Sequence, residues 1–313
     1  MGFLHQLIVS TLPLIPRPIM RRLSARYIAG ETLAEALTRL DRARARGFGG
    51  VLDILGEDVT SEAEARAAQA SYKTGASALA ERGLDAYVSV KPTHVGLKIS
   101  HELANELYSD LLTHCAGLGQ IVRVEMEDHT LTDETLRLYA GLLQRFENVG
   151  IVLQARLHRT LRDIEELGTE THDVRMVKGI YLESSSIAHT SQQDIRDAFV
   201  ACTNELFRRG HKVALATHDE SLGARLLHEI SEAGIAPERF CFEVLLGVQE
   251  HLWEHWRDLG HRVLVYVPYG PEWRSYSQRR LRKNPEVLRH LLRNVFMPQR
   301  APKPARKAAE NAS

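Results

Sequence analysis

The sequence is poor in cysteine and has no excess of charge of either sign. Its 313 residues include 3 cysteines, Cys115, Cys202 and Cys241, which are far apart and form no CxxC pair. This pattern argues against a disulfide scaffold and is typical of the reducing cytosol, so we expect a cytoplasmic protein. Lysine plus arginine and aspartate plus glutamate number 40 each. The chain therefore lacks the basic field of a nucleic-acid binder, and we expect no nucleic-acid partner.

Long apolar runs are also missing. The apolar stretch at 1–16 is too short to span a bilayer, has no basic residue ahead of it and shows no small-residue cleavage site, so we expect no signal peptide. It predicts an N-terminal helix packed on the domain, with a peripheral contact at the inner face of the membrane as the alternative. The stretch at 299–313 is rich in Pro, Ala and Lys and predicts a disordered tail.

Eight short runs rich in Val, Ile and Leu alternate with amphipathic stretches that begin at capping residues such as Ser61 and Ser100. This alternation predicts either a closed (β/α)8 barrel or an open doubly wound sheet. No GxGxxG follows the first run, and the count of eight favours the TIM-type barrel. We predict an N-terminal helical segment at 1–45, a catalytic barrel with C-terminal helices at 46–298, and one of those helices over the barrel mouth. The strand-like runs are 49–55, 84–91, 120–126, 149–155, 174–180, 211–217, 239–246 and 261–268.

Polar side chains recur near the carboxyl ends of these runs, where (β/α)8 barrels carry their chemistry. Charges in buried strands are costly unless they are paired or solvated, so their repetition at one end predicts a functional site. Beyond the last run, Tyr276, Arg279, Arg280 and Lys283 share one helix face, and adjacent arginines can clamp a carboxylate. These residues predict a site for a small anion and name no cofactor. The strand-end candidates are Lys91, Glu125, Gln154, Arg175, Lys178, Thr217, His218, Asp219, Glu243 and Tyr266.

Three motifs then carry a resemblance. RMVKGIY (175–181), ALATHD (214–219) and YSQRRLRKNP (276–285) occur in the order and at the spacing of proline dehydrogenases, and the similarity extends from about residue 50 to 289. That family uses FAD to oxidise L-proline to Δ1-pyrroline-5-carboxylate and passes the electrons to a quinone. The resemblance implies the same cofactor, substrate and acceptor here.

The resemblance also implies roles for individual residues. On the substrate side, Arg279 and Arg280 bind the proline carboxylate, Lys91 lines the pocket and pairs with Glu125, and the ring is surrounded by Tyr266, Leu245 and Tyr276. On the cofactor side, Arg175 lies near flavin N5 and Gln154 bonds the isoalloxazine edge. The remaining cofactor contacts implied are Met126, Val177, Lys178 and Gly179 along the flavin, and Thr217 and His218 at the phosphate and ribose. Glu125 and Arg175 are the two residues expected to be catalytic.

Three positions depart from the family pattern. Glu125 replaces the usual aspartate, Glu243 the usual glutamine, and Lys283 the usual glutamate. These changes leave two alternatives open: a flavoenzyme acting on another secondary amine or imino acid, and a non-catalytic relative that keeps only the barrel. Tyr266 matches the family's usual tyrosine and favours proline over 4-hydroxyproline.

One further motif belongs to another class of enzyme. His251, Glu254 and His255 match the H-x-x-E-H pattern of a zinc peptidase class, and the spacing puts both histidines on one helix face. The helix is expected outside the barrel and no third ligand is evident, so the pattern alone gives weak support to a zinc hydrolase. We expect no metal site.

Overall fold

The structure of the protein, a computed structural model, describes residues 20–21, 24–168, 171–274 and 276–277. The predicted helix over the barrel mouth, its Arg279, Arg280 and Lys283, and the predicted tail at 299–313 lie outside these residues. The division into 1–45, 46–298 and 299–313 stays a prediction.

Eight parallel strands close into one barrel in the order of the sequence, so the predicted fold is confirmed. The closing contact joins the first and last strands, with Val51 beside Tyr266 and Asp53 beside Pro268. The strands are β1 (Gly49–Ile54), β2 (Ala86–Val90), β3 (Val122–Val124), β4 (Val149–Gln154), β5 (Asp173–Val177), β6 (Lys212–Ala216), β7 (Phe240–Leu245) and β8 (Val263–Tyr269).

Helices connect the strands on the outside of the barrel. Ser61 and Ser100 cap the helices that follow them, as the sequence predicts, each by accepting a backbone N–H bond in the first turn. The helix after β4 is short, with 7 residues. The helices are α1 (Leu33–Ala45), α2 (Glu62–Glu81), α3 (His101–Ala116), α4 (Thr132–Leu143), α5 (Thr160–Glu166), α6 (Gln192–Arg208), α7 (Glu220–Glu232) and α8 (Glu250–Asp258). No helix in the described ranges is long and apolar enough to cross a membrane.

The apolar core lies between the strands and the helices that cover them. Outward-facing strand residues such as Leu52 and Val88 pack there against helix residues such as Leu79 and Leu107. Inside the barrel, the buried Val51, Tyr87 and Leu264 form a small apolar group with partly buried neighbours. Polar and charged side chains also occupy the barrel interior, and these form the candidate site.

Candidate active site

Arg175 is the centre of the charged barrel interior. It projects from β5 and is 3% exposed. Its Nε donates to Glu243, Nη1 donates to Glu125 at 2.6 Å and Nη2 donates to Tyr87 at 3.2 Å. The guanidinium also lies over the ring of Tyr266, 5.2 Å from its centroid. Burial alone would lower the pKa of Arg175, but Glu243, Tyr87 and Glu125 raise it well above its usual value, so the group is a fixed cation.

Glu125, at the end of β3, is held from three sides. One carboxylate oxygen accepts from Arg175, from the hydroxyl of Ser89 at 2.5 Å and from the hydroxyl of Tyr266 at 3.1 Å. Burial opposes ionisation, yet the charges of Arg175 and Lys91 lower the pKa of Glu125. The two side chains expected to be catalytic, Glu125 and Arg175, are therefore in direct contact as an ion pair.

Lys91 corrects one expectation. The resemblance implies a pair with Glu125, but the ammonium group lies 3.2 Å from a carboxylate oxygen of Asp53 on β1. Burial alone would lower the pKa of Lys91, but the carboxylates of Asp53 and Glu125 raise it. Asp53 itself is 1% exposed, and burial raises its pKa. Arg175 and the two hydroxyls bind one oxygen of Glu125, and the carboxylate that the ammonium group contacts is that of the buried Asp53 on the neighbouring strand.

The other predicted substrate residues surround this cluster only in part. Tyr266 is half-buried and contacts both Glu125 and Arg175. Leu245 is half-buried, and its backbone N–H donates to Nε2 of His218 at 2.7 Å. Tyr276 is half-buried. The structure therefore brings Lys91 and Tyr266 together near Glu125.

The predicted cofactor residues extend from this cluster along the carboxyl ends of β4, β5 and β6. Gln154 is buried and donates to the backbone oxygen of Glu127 at 2.7 Å. Met126 is 7% exposed, while Val177 is half-buried on β5. Gln154 and Val177 are neighbours at the ends of β4 and β5, whereas Met126 packs in the apolar core.

Lys178 and Thr217 both contact Asp219, the residue that precedes α7. Lys178 lies 2.6 Å from a carboxylate oxygen of Asp219, to which Arg196 also donates at 2.6 Å. Burial opposes ionisation, but these hydrogen bonds lower the pKa of Asp219. Thr217 is buried, and its hydroxyl accepts the Asp219 N–H at 3.1 Å. The arrangement concentrates positive charge and a helix N-terminus at one edge of the mouth.

Gly179 shows a close approach between the β4 and β5 ends. It has φ +94°, and an added Cβ would lie 2.8 Å from Oε1 of Gln154 and 3.0 Å from Arg156. The absence of a side chain keeps the space next to Gln154 open. The buried cation of Arg175, the amide of Gln154 and the cations near Asp219 are donors suited to an anionic dinucleotide with a ring system.

Sequence reasoning missed four interior side chains: Asp53, Tyr87, Ser89 and Arg123. Arg123 on β3 is 1% exposed and donates to the carboxylate of Asp173 at 2.7 Å. A signal was available, since inward-facing positions alternate along a strand: Tyr87, Ser89 and Lys91 share one face of β2. The candidates chosen at strand ends left out these other side chains of the same inward-facing rows.

Arg156, just after β4, was also missed. Its Nη1 donates to the backbone oxygen of Tyr181, while its Nε is buried without a hydrogen-bond partner in the described part of the chain. Burial lowers its pKa. It is a further cation beside Gly179, and no periodic signal in the sequence marks it.

The zinc-peptidase motif lies on α8, outside the barrel. His251, Glu254 and His255 are exposed, and Glu254 pairs with Arg46 at 2.9 Å. Within the ranges that the structure describes, no three His, Cys, Asp or Glu side chains are grouped so as to hold a metal ion. The histidine pair therefore has no third ligand in that part of the chain, and the structure lends the zinc-hydrolase alternative no support.

A closed barrel with paired cations and carboxylates at the carboxyl ends of its strands defines a (β/α)8 enzyme. The profile of the proline dehydrogenase family matches residues 36–291. Proline dehydrogenase 1 of Bacillus subtilis subsp. natto is 32% identical over 276 residues, covering 88% of this chain and 91% of the relative. Proline dehydrogenase of Deinococcus radiodurans is 30% identical over 276 residues, covering 87% and 89%. The chain belongs to the proline dehydrogenase family.

A solved structure shares the fold. Proline utilization A from Bdellovibrio bacteriovorus, crystallised after inactivation by N-propargylglycine, superposes with a TM-score of 0.80 at 22% identity. The match covers 92% of this chain but only 37% of that longer one. The similarity therefore concerns one barrel within a larger protein.

Proposed function

We propose that this protein oxidises L-proline to Δ1-pyrroline-5-carboxylate with FAD as the hydride acceptor, the first step of proline catabolism. The observation that carries the proposal is the buried cluster of Arg175, Glu125, Lys91 and Tyr266 at the barrel mouth of a chain that belongs to this family. Bound FAD supplies the flavin N5 that accepts a hydride.

Arg175 has the chemistry to favour the reduced cofactor. Its charge is fixed because Glu125 and Glu243 hold the guanidinium on two sides. A fixed cation beside a flavin favours the negative charge that builds up on reduction, without rearrangement during the reaction. Gln154 and Gly179 would hold the flavin edge, with Met126 and Val177 beside it. Lys178, Thr217 and His218 would bind the phosphate and ribose part.

On the substrate side, we assign the proline carboxylate to Arg279 and Arg280, because adjacent guanidinium groups bind a carboxylate through planar paired hydrogen bonds. Tyr266, Leu245 and Tyr276 would enclose the ring. The ring nitrogen must lose its proton before a hydride can leave the adjacent carbon. A partly apolar enclosure assists, because desolvation lowers the pKa of an amine.

The family resemblance supports the choice of electron acceptor, and the cysteine pattern supports the location. We propose a quinone as the acceptor and a cytoplasmic protein that contacts the inner face of the membrane peripherally. Sedimentation of the purified protein with quinone-containing vesicles, compared with vesicles lacking quinone, would test both points together with the rate of quinone reduction.

The central experiment is an anaerobic titration with L-proline while the flavin absorbance is followed. Bleaching of the oxidised-flavin absorbance is expected. A yellow protein that another secondary amine bleaches, but L-proline does not, would keep the flavoenzyme and change the substrate. A colourless protein that cannot be reconstituted with FAD would indicate the non-catalytic relative.

Variants separate the two halves of the site. Arg279→Ala or Arg280→Ala should raise the KM for proline and leave bound FAD unchanged, because their expected contact is with the carboxylate. Arg137→Ala, an exposed arginine paired with Glu134 on α4, is the matched control and should leave KM unchanged. Loss of flavin in either clamp variant would contradict the assignment.

Gly179→Ala tests the cofactor wall. The new Cβ would crowd Gln154 at 2.8 Å, so we expect weaker FAD binding, with a Kd raised by roughly tenfold, or about 1.4 kcal/mol. Gly210→Ala is the matched control, because its φ is +95° but a Cβ there meets nothing within 4 Å. Equal FAD affinity in both variants would show that crowding at Gln154 is not what matters.

A further inference from the structure

Glu243 is a buried carboxylate deep in the barrel to which the proposed reaction assigns no contact with proline or FAD. It projects inward from β7, and its side chain is 2% exposed. One oxygen accepts from the hydroxyl of Tyr87, and the other accepts from Nε of Arg175. The first oxygen also lies 3.8 Å from Nη2 of Arg123. Glu243 thus joins the deep guanidinium of Arg123 to that of Arg175 at the site.

The surroundings require a carboxylate at this position. Both oxygens of Glu243 face donors, since Arg175 can only donate and the Tyr87 hydroxyl already accepts from Arg123 and Arg175 at 3.2 Å each. A glutamine, the family's usual residue here, offers one acceptor and would turn its NH2 toward a donor. Arg123 and Tyr87 therefore match Glu243 in a way that they would not match an amide.

The negative charge of Glu243 also weakens the electrostatic effect of Arg175 on other negative charges nearby. Arg175 contacts two carboxylates, Glu125 and Glu243, rather than one. Around the pair of guanidinium groups of Arg123 and Arg175 there are three carboxylates, since Asp173 completes the set. Two carboxylates therefore neutralise the charge of Arg175 more fully than one would. The negative charge that a flavin gains on reduction is then less stabilised by Arg175.

We propose that Glu243 is a positioning residue that fixes the guanidinium of Arg175 and, through its negative charge, limits how strongly the site favours reduced flavin. This inference rests on the proposed function only in placing Arg175 beside FAD. It assigns the departure at β7 to tuning of the cofactor and not to a change of substrate.

The test is the midpoint potential of the bound flavin in the Glu243→Gln variant, measured by equilibration with redox dyes. The substitution removes one negative charge, which stabilises the more negative reduced flavin, so the potential should rise. We expect a shift of roughly tenfold in the reduction equilibrium, about 30 mV for a two-electron couple. Asp173→Asn is the matched control: it removes the same charge from the same network, but at a residue that contacts Arg123 and not Arg175. Its shift should be smaller.

A potential in Glu243→Gln equal to that of the unsubstituted protein, or shifted no further than in Asp173→Asn, would overturn the proposal. If Glu243→Gln does not fold or bind flavin, the Glu243→Asp variant tests the positioning role instead. It keeps the charge but draws it back from Arg175, so turnover should fall while the KM for proline and the potential change little. Unchanged turnover in Glu243→Asp would refute the positioning role. The midpoint potential can be measured on bound flavin without proline oxidation. A protein whose flavin L-proline fails to bleach therefore contradicts the proposed function alone.

Discussion

Replacing Lys91 by methionine would leave the carboxylate of Asp53 without its partner inside the barrel. Asp53 is 1% exposed and its ion pair with Lys91 is 3.2 Å long. Removing one member of a buried pair costs about 3–5 kcal/mol, because the other charge stays desolvated. Asp53 can avoid this cost by taking up a proton. From an ordinary pKa of about 3.9, that costs about 4 kcal/mol at pH 7 and about 1.5 kcal/mol at pH 5.

The loss of stability in Lys91→Met should therefore be about 3–4 kcal/mol at pH 7 and fall to about 1.5 kcal/mol at pH 5. Burial raises the pKa of Asp53 in the folded protein even with Lys91 present, and removing that cation raises it further. The unfolded variant therefore releases this proton at a lower pH than the folded one, so folding weakens as pH rises. Urea unfolding followed by circular dichroism at both pH values would measure it. Adding Asp53→Asn to Lys91→Met should recover most of the loss.

Lys98→Met is the matched control for this prediction. Lys98 pairs with Asp58 at 2.6 Å, but both side chains are about half exposed, at 45% and 57%. Exposed pairs contribute about 0–1 kcal/mol, so the control should cost less than about 1 kcal/mol at either pH. A similarly small loss in Lys91→Met at pH 7, or a loss that does not shrink at pH 5, would refute the buried ion pair.

Two further variants probe the charged interior. Gly150→Ala would place a Cβ 2.5 Å from Nη1 of Arg123 and should cost about 1–3 kcal/mol of stability by overpacking. Gly141→Ala is the control: it lies in a helix with its nearest neighbour at 3.4 Å and should stabilise by about 0.5–1 kcal/mol. Thermal unfolding that ranks the two variants equally would contradict the packing around Arg123. Tyr266→Phe removes the hydroxyl that donates to Glu125 at 3.1 Å, and the remaining bonds to Glu125 should hold the drop in kcat/KM below about tenfold; a larger loss would show a direct role of the hydroxyl in the reaction.

The fold was predictable from the sequence because each barrel unit carries its own local signals. Runs rich in Val, Ile and Leu and capping serines such as Ser61 and Ser100 agree on the same alternation. The residues at strand ends could also be predicted, since the barrel brings those ends together. Their partners could not. Whether Lys91 pairs with Asp53 or with Glu125 depends on how the two carboxylates lie around its ammonium group, and that placement is set only in the folded barrel.

The deeper interior explains how the barrel remains stable around so many charges. The interior of such barrels is ordinarily filled by branched apolar side chains, yet here Arg123, Arg175 and Glu243 occupy that volume at 3% exposure or less. Buried ion pairs contribute little net stability, because desolvation offsets their attraction. The stability must therefore come from the apolar layer between strands and helices, which contains most of the buried hydrophobic residues. With that layer supporting the fold, the interior is free to be shaped by its chemistry. Substitutions inside the barrel should for this reason alter cofactor and substrate properties more readily than substitutions of equal size in the outer layer.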